Sequence, residues 1–270
     1  MNRGYKIIIG ILAFIVIAQA FFIFFNRPRK TEERKPIKVI VAEKPRKVPE
    51  TVKGTIAIVL DDWGYNLTNL PVIEQIPYPL TLSVLPNLAY SQKVADLLHK
   101  RNFEIILHCP MEPLQKMPLE KNTILTTMDG QTIQKIIEIN VDNFPYIRGI
   151  SNHMGSRATE DSRTMQIILS ELKKRNLYFL DSFVTSGSVA GIEAARTGVP
   201  FVKRDIFLDN QPEESYIKQQ LYKLVAHAHR YGYAVGIGHD RKSTMEVLKQ
   251  IMPVIAKDGY KFVFLSELVK

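Results

Sequence analysis

Short apolar runs and amphipathic stretches alternate along the chain from Thr55 to its C-terminus. The apolar runs are three to six residues long and rich in β-branched and aromatic residues, which is typical of buried strands. The pattern predicts eight strands, at Thr55–Leu60, Leu80–Val84, Phe103–Leu107, Ile147–Ser151, Leu177–Leu180, Pro200–Val202, Ala234–Ile237 and Phe262–Phe264.

The stretches between these runs carry apolar residues three and four positions apart, which is the spacing of one helix face. The last helix is predicted to open with a capping box at Ser243-Thr244-Met245-Glu246. Strands that alternate with helices form parallel sheets, either open or closed as a barrel. On both architectures, functional residues lie beyond the carboxyl ends of the strands.

The first 53 residues follow a different pattern. Ile7–Phe25 is an apolar run of 19 residues whose single polar member is Gln19. As a helix it would span ~28 Å, close to the hydrocarbon thickness of a bilayer. A cleaved signal peptide is the alternative, because Ala18-Gln19-Ala20 has the small-x-small form of a cleavage site. The apolar run continues past that site, so we predict an uncleaved transmembrane anchor.

Residues 26–53 combine four prolines with dense Lys, Arg and Glu. Such a segment cannot bury enough apolar surface to fold, and we predict a disordered stalk. The predicted organisation is therefore a basic N-terminus at 1–6, an anchor at 7–25, a linker at 26–53 and one folded domain at 54–270.

The net charge of +9 first suggests a nucleic-acid-binding protein. However, residues 1–53 hold 12 Lys/Arg and 4 Asp/Glu, which leaves 24 basic and 23 acidic residues in 54–270. The predicted domain lacks the basic balance of a phosphate-binding surface, so we expect no nucleic-acid partner. The single cysteine, Cys109, excludes an intramolecular disulfide and a multi-cysteine zinc site.

Side chains with catalytic or metal-binding chemistry follow nearly every predicted strand. Polar residues commonly begin loops, but three histidines and an aspartate doublet at such positions favour a functional site. Because the carboxyl ends of parallel strands share one edge, we expect these side chains to lie together. They are Asp61, Asp62, His108, Asn152, His153, Asp181, Arg204, Asp205, His239 and Asp240.

Asp61 and Asp62 come directly after a buried strand. Two adjacent carboxylates repel each other unless a cation or a shared proton compensates, and a divalent cation is the simplest compensation. Successive side chains of a strand point to opposite faces. We therefore expect one aspartate to bind an ion while the other stays free as a base.

His108 and His153 follow two further strands. One carboxylate and two imidazoles, with one position left open, suit a catalytic zinc or a similar ion. Glu112, four residues after His108, competes for a ligand place. Cys109 is expected to point to the opposite face from His108.

Six motifs, in order along about residues 54–260, resemble the motif set of the divergent polysaccharide deacetylases. The resemblance implies a distorted (β/α) barrel of seven or eight mostly parallel strands. It also implies metal-assisted removal of acetyl groups from N-acetylated or O-acetylated sugars. The motifs are Leu60-Asp61-Asp62-Trp63-Gly64, His108-Cys109-Pro110-Met111-Glu112, Asn152-His153-Met154-Gly155-Ser156, Leu180-Asp181-Ser182, Arg204-Asp205-Ile206-Phe207-Leu208-Asp209-Asn210 and Gly236-Ile237-Gly238-His239.

The resemblance implies roles for individual residues. Asp61 resembles the general base, while Asp62 and His108 resemble metal ligands. Arg204 resembles the arginine that positions the base, and His239 resembles the general acid.

This chain departs from the ordinary deacetylases in one motif. Those enzymes carry a second histidine four residues after the first, where this chain has Glu112. The divergent group offers His153 from the next strand instead, so we expect His153 as the third ligand.

The other candidates are assigned to the surroundings of the ion. Asp181 or Asp240 is expected to orient His239. The expected substrate contacts are Trp63, Glu112, Asn152 and Asp205, with Tyr65 and Phe183 as further aromatic residues beside the motifs.

These expectations describe a zinc-dependent hydrolase of cell-envelope polysaccharide, anchored in a membrane with its catalytic domain outside the cytoplasm. Its expected partners are an acetylated glycan and the membrane. One alternative is a non-catalytic module that binds glycans on a deacetylase-like fold. A second is a metal-dependent phosphoesterase, for which the strand ends supply few carboxylates and no clear phosphate clamp.

Overall fold

The computed structural model describes residues 52–270 and, separately, Gln19. Residues 52–270 form a single nine-stranded sheet in which every strand pairing is parallel. The strands are β1 (Gly54–Trp63), β2 (Thr81–Val84), β3 (Glu104–Met111), β4 (Gly149–Met154), β5 (Tyr178–Asp181), β6 (Phe201–Lys203), β7 (Ile206–Phe207), β8 (Tyr233–His239) and β9 (Tyr260–Val263).

Helices follow most of the strands and cover one face of the sheet. They are α1 (Leu70–Ile73), α2 (Ser91–His99), α3 (Gly130–Asp142), α4 (Ser162–Lys174), α5 (Ala190–Thr197), α6 (Glu214–Tyr231) and α7 (Lys242–Lys257), with short 3₁₀ helices at Ala158–Glu160 and Leu265–Glu267.

The sheet is curled. Its strand order is β6-β5-β4-β3-β2-β1-β8-β7, and β9 pairs with the N-terminal half of β1. β6 and β7 occupy opposite ends of this order, yet only Arg204 and Asp205 separate them along the chain. Three Cα–Cα steps span at most ~11 Å. The two ends of the sheet must therefore approach each other, which gives a barrel-like form.

Alternation along β1 explains why its sequence is apolar at nearly every position. Ile56, Ile58 and Leu60 pack into the larger core, between the sheet and the helices. Ala57 and Val59 pack into a second core, which contains strand and C-terminal residues and no residue of an α-helix. A strand buried on both faces is the expected pattern in a parallel sheet covered by helices.

The prediction of a barrel-like parallel α/β fold is confirmed. All eight predicted strands are present, and β7 is a ninth that the pattern did not predict because it is only two residues long. β1, β3, β4 and β8 also run further than predicted, so Asp61, Asp62, His108, His153 and His239 lie inside the strands.

The capping box predicted at Ser243 is wrong. Helix α7 begins at Lys242, and its N-cap residue, Arg241, makes no side-chain capping bond. The hydroxyl of Thr244 instead donates to Oδ2 of Asp209 at 2.6 Å. The Thr244 hydroxyl therefore does not cap the helix but bonds the carboxylate that also contacts His239.

Within residues 52–270, no helix combines the length and the apolar character that crossing a bilayer requires. The predicted anchor at 7–25, apart from Gln19, lies outside the described residues. So does the predicted linker, apart from Val52 and Lys53.

Candidate metal centre and active site

The inward positions of four strands lead to one group of polar side chains. On β1, β3 and β8, apolar inward residues come first and a polar residue follows near the carboxyl end, whereas on β4 both inward residues are polar. The inward series are Ala57, Val59 and Asp61 on β1; Ile106 and His108 on β3; Ser151 and His153 on β4; and Val235, Ile237 and His239 on β8. Period-two alternation thus places four predicted site residues, Asp61, His108, His153 and His239, on the inner face.

Asp62 reaches the same face by a different route. Leu60 pairs with Leu82 and Trp63 with Val84, so Asp61 and Asp62 together stand opposite one residue of β2, Ser83. This is a β-bulge, and Asp62 adopts the left-handed conformation with φ 67°. The expectation that the two aspartates point to opposite faces is therefore wrong, because the bulge turns both carboxylates toward His108.

Asp62, His108 and His153 converge. Oδ1 of Asp62 lies 3.3 Å from Nε2 of His108 and 3.1 Å from Nδ1 of His153. One ligand atom from each residue lies within 4.8 Å of the other two. Burial alone would raise the pKa of Asp62, but the two imidazoles hold that pKa far below its ordinary value.

This donor set fits a divalent metal ion. Oδ1 of Asp62 is buried and has no hydrogen-bond partner within residues 52–270, although two imidazole nitrogens stand close to it. One carboxylate and two imidazoles are ligands that catalytic zinc commonly takes. The structure thus contains a candidate His/Asp metal site, with Asp62, His108 and His153 as the residues that would hold the ion.

Asp61 lies beside this group as a free carboxylate. Its side chain is 3% exposed, Oδ2 lies 3.6 Å from Nε2 of His108, and Oδ1 has no partner within residues 52–270. Burial raises the pKa of Asp61 and the charge of Asp62 raises it further, against the opposing influence of His108 and His239. A buried carboxylate with an unpaired oxygen and a raised pKa is suited to accept a proton.

His239 is oriented by Asp209. Nδ1 of His239 lies 2.7 Å from Oδ1 of Asp209, and the backbone N–H of His239 donates to Oδ2 of the same carboxylate. The ring of His239 stacks on Phe207 with 5.9 Å between centroids. Burial lowers the pKa of His239, but the hydrogen bond and charge of Asp209 outweigh burial and raise it.

Asp181 and Asp240 do not orient His239, contrary to expectation. Asp181 accepts hydrogen bonds from the N–H of Phe183 and the hydroxyl of Ser188, so it shapes the turn after β5. Asp240 accepts from the side chain of Asn69, and burial raises the pKa of Asp240 to about 6.

Asp209 was missed because it follows β7. The rule of polar residues after strand ends would have found it, but two residues are too few to recognise as a strand from the sequence.

Arg204 bonds two backbone carbonyl groups, although it was expected to position Asp61. Its guanidinium donates to the carbonyl oxygens of Ser182 and Phe183 and lies 3.7 Å from the centroid of the Phe207 ring. It makes no ion pair with Asp61 within residues 52–270, so its influence on that carboxylate is through longer-range charge. Arg204 supports the turn at Phe183, whose φ of 49° is strained for an aromatic residue.

Three of the predicted substrate contacts, Trp63, Asn152 and Asp205, pack or bond within the protein. Trp63 is fully buried in the core that faces the helices, so its ring is unavailable to a sugar. Asn152 is 1% exposed, and its amide bonds the N–H of Ser182 and the carbonyl of Met154. Asp205 accepts from the N–H of Val235 and so ties the chain before β7 to β8.

The comparisons with known proteins can be set beside this geometry. The family model described as divergent polysaccharide deacetylase matches residues 58–269. The chain belongs to the divergent polysaccharide deacetylase family. The match includes every residue of the candidate site.

Relatives of this chain are found among bacterial proteins. The uncharacterized protein YibQ of Escherichia coli K12 is 40% identical over 74% of this chain, and the match spans 62% of that protein's own length. An uncharacterized protein of Haemophilus influenzae is 30% identical over 73% of this chain and 70% of its own. The crystal structure of an uncharacterized protein from Agrobacterium tumefaciens C58 has the same fold, with a TM-score of 0.76 at 22% identity, covering 83% of this chain and 92% of that one.

Glu112 does not join the candidate metal ligands. Its Oε2 accepts from both the N–H and the hydroxyl of Thr126, and its Oε1 lies 3.4 Å from Nε of Arg157. Glu112 thereby fixes the base of the long loop after β3. The same loop contributes Glu120, which accepts a hydrogen bond from the hydroxyl of Tyr65.

Proposed function

We propose that the folded domain of this divergent deacetylase is a metal-dependent hydrolase that removes acetyl groups from acetylated cell-envelope polysaccharide. The observation that carries the proposal is the convergence of Asp62, His108 and His153 beside a free buried carboxylate, Asp61. The pairing of His239 with Asp209 supplies a candidate acid across the same face. The family membership supports the acetylated sugar as the substrate class.

The protein's own side chains would perform the proton transfers. A divalent ion bound by Asp62, His108 and His153, zinc in our proposal, would supply Lewis-acid polarisation of the acetyl carbonyl and acidify a water molecule. Asp61 accepts the proton of the attacking water at its unpaired oxygen. His239, held protonated by Asp209, donates a proton to the leaving nitrogen as the carbon–nitrogen bond breaks. Acetate and a free amine result, or acetate and a hydroxyl group if the substrate is an ester.

Tyr65 replaces Trp63 in the proposed recognition of sugar rings. Its side chain lies three residues after Asp62, is 47% exposed and is held at its hydroxyl by Glu120. An exposed aromatic face with a fixed polar end suits stacking on a carbohydrate. We also retain the proposal of a membrane-anchored, extracytoplasmic enzyme, which rests on the apolar run at 7–25.

The division of labour between the two aspartates tests the proposal. Asp62→Asn is expected to lose both bound metal and acetate release, because it removes a ligand oxygen. Asp61→Asn is expected to keep the metal and lose about 10²–10⁴-fold in turnover, the usual contribution of a general base. Metal content and acetate release from chitooligosaccharides and peptidoglycan are measured on the same preparations.

Glu112→Gln is the matched control, since it also replaces a carboxylate by a carboxamide near the site. It should keep its metal, because Glu112 bonds Thr126 and Arg157 instead of the ion. Equal metal loss in both aspartate variants would leave the mechanism without a base. A wild-type protein that binds metal and acetylated glycan but releases no acetate would establish the binding-module alternative.

A further inference from the structure

Two buried serine hydroxyls adjoin the candidate ligand His108. Nδ1 of His108 lies 2.7 Å from Oγ of Ser151, and that oxygen lies 2.7 Å from Oγ of Ser83. His108 is 3% exposed and both serines are fully buried. Bulk water therefore does not compete for these hydrogen bonds.

The hydroxyl pair extends to the strand beside the predicted base. Ser83 is the residue of β2 that stands opposite the bulge formed by Asp61 and Asp62. The connection thus runs from His108 through Ser151 and Ser83 toward Asp61, across four neighbouring strands.

The number of available protons determines which group donates in each of these hydrogen bonds. A neutral imidazole carries one N–H, and the nitrogen that binds an ion must be the other one. With Nε2 of His108 facing Asp62 as the ligand atom, Nδ1–H donates to Ser151. The single hydroxyl proton of Ser151 is then free to donate to Ser83, and that of Ser83 is free to turn toward Asp61.

We propose that Ser151 and Ser83 are positioning residues that favour the His108 tautomer required for metal binding and turn a hydroxyl donor toward Asp61. The inference rests on the proposed metal site, and it gives a part in ion binding to two serines that would not touch the ion themselves. Hydrogen-bond partners of metal-bound histidines fix the tautomer and ring orientation in this way.

Zinc affinity of single and double variants tests the proposal. Ser151→Ala is expected to weaken zinc binding about 10–100-fold, the usual effect of removing such a partner. Ser83→Ala is expected to weaken it less. The double variant should bind zinc no worse than Ser151→Ala, because Ser83 influences His108 only through Ser151. Affinities are measured by competition with a chelator, on variants whose melting temperatures show that they fold.

Ser182→Ala is the matched control. Ser182 is a buried serine at the end of β5, and its hydroxyl donates to the carbonyl of Asn152 and bonds no candidate ligand. It should bind zinc as the wild type does. Wild-type affinity in folded Ser151→Ala, or additive losses in the double variant, would overturn the proposal.

A second measurement separates this proposal from the proposed function. The ¹⁵N resonances of the His108 imidazole in the metal-free protein report the partner of Nδ1 directly. Ser151→Ala should shift the Nδ1 resonance, and Ser182→Ala should not. If the wild type binds no zinc but the Nδ1 shift is found, the metal-dependent function fails while the histidine–serine connection stands. An unchanged Nδ1 resonance in Ser151→Ala refutes the connection whether or not zinc binds.

Discussion

The imidazole of His239 is held at its edge by Asp209 and on its face by Phe207. The carboxylate of Asp209 is fully buried, and it also accepts from the hydroxyl of Thr244. Because the negative charge lies against Nδ1, the protonated imidazole is favoured despite its burial. The stabilisation from this pair is present below the ordinary pKa of histidine and is lost as pH rises through the raised pKa of His239.

Asp209→Asn is predicted to lower both the turnover and the pKa of His239. Without the carboxylate, His239 loses its proton at lower pH, so the alkaline limb of the pH–activity profile should move to lower pH. Turnover at the optimum should fall on the order of 10²-fold or more, since general-acid catalysis is impaired. The profile of kcat/KM for acetate release measures both effects. Asp258→Asn, at an exposed aspartate paired with Lys53, should leave the profile unchanged. A lower rate with an unmoved alkaline limb would contradict the assigned role of Asp209.

At the scale of the element, the bulge in β1 decides how the site is built. It places two consecutive carboxylates on the inner face, at the cost of a left-handed residue at Asp62. Aspartate and asparagine tolerate that conformation better than most residues do, and glycine adopts it freely. The bulge therefore restricts position 62 through its backbone as well as through its side chain.

The Asp62→Gly variant is predicted to be more stable toward unfolding than the Asp62→Ala variant. Both variants remove the buried carboxylate, so their difference isolates the backbone. Asp62→Ala should be less stable than Asp62→Gly by about 1 kcal/mol, the cost of a left-handed conformation for a residue with a Cβ. Urea unfolding of the two proteins gives this difference. At Thr55, which lies in the same strand and has no positive φ, alanine should be the more stable of the two. The same order at both positions would show that no strain is stored at Asp62.

At the scale of the whole molecule, one end of the barrel carries the candidate site and the other stabilises the fold. The carboxyl ends of the strands carry the candidate site, and the amino ends are closed around Glu104. Oε1 of Glu104 accepts from the hydroxyls of Thr81 and Tyr178 and from the N–H of Ser266. One buried carboxylate thus joins β2, β5 and the C-terminal segment.

Glu104→Ala is predicted to destabilise the fold without touching the site. Three donors would lose their acceptor in a buried place, so the free energy of unfolding should fall by about 2–4 kcal/mol. Glu138→Ala, at an exposed glutamate paired with Lys135, should change it by less than about 0.5 kcal/mol. Denaturant unfolding measures both. Zinc affinity of folded Glu104→Ala should equal that of the wild type, and a large loss would mean that the two ends are coupled.

The full-length chain is predicted to fractionate with membranes. Its apolar run continues through Phe25, past the small residues at Ala18 and Ala20, where a cleaved signal peptide would turn polar. Mass spectrometry of the mature protein and its distribution between membrane and soluble fractions test this. A soluble mature protein that starts near Phe21 would refute the anchor.

The sequence by itself determined where the strands lie and which side chains gather at their carboxyl ends. Strand period is a local property, so the apolar runs predicted eight strands, and the residues after them included Asp61, His108, His153 and His239. The strand-end rule likewise grouped Asp62 with the two histidines that the structure brings close to it. The family could also be recognised, because its motifs are short contiguous segments.

Only the tertiary structure decided how those residues are held. The bulge depends on the register of β1 against β2, which no local pattern in either strand encodes. Asp209 bonds His239 because β7, which precedes Asp209, pairs with β8. Trp63 is buried because the bulge directs its side chain toward the helices. Arg204 turns to two carbonyl groups of the neighbouring loop and makes no ion pair with Asp61. In each case the partner residue is distant in sequence. The hydrogen bond or packing contact can form only after folding has brought the two residues together.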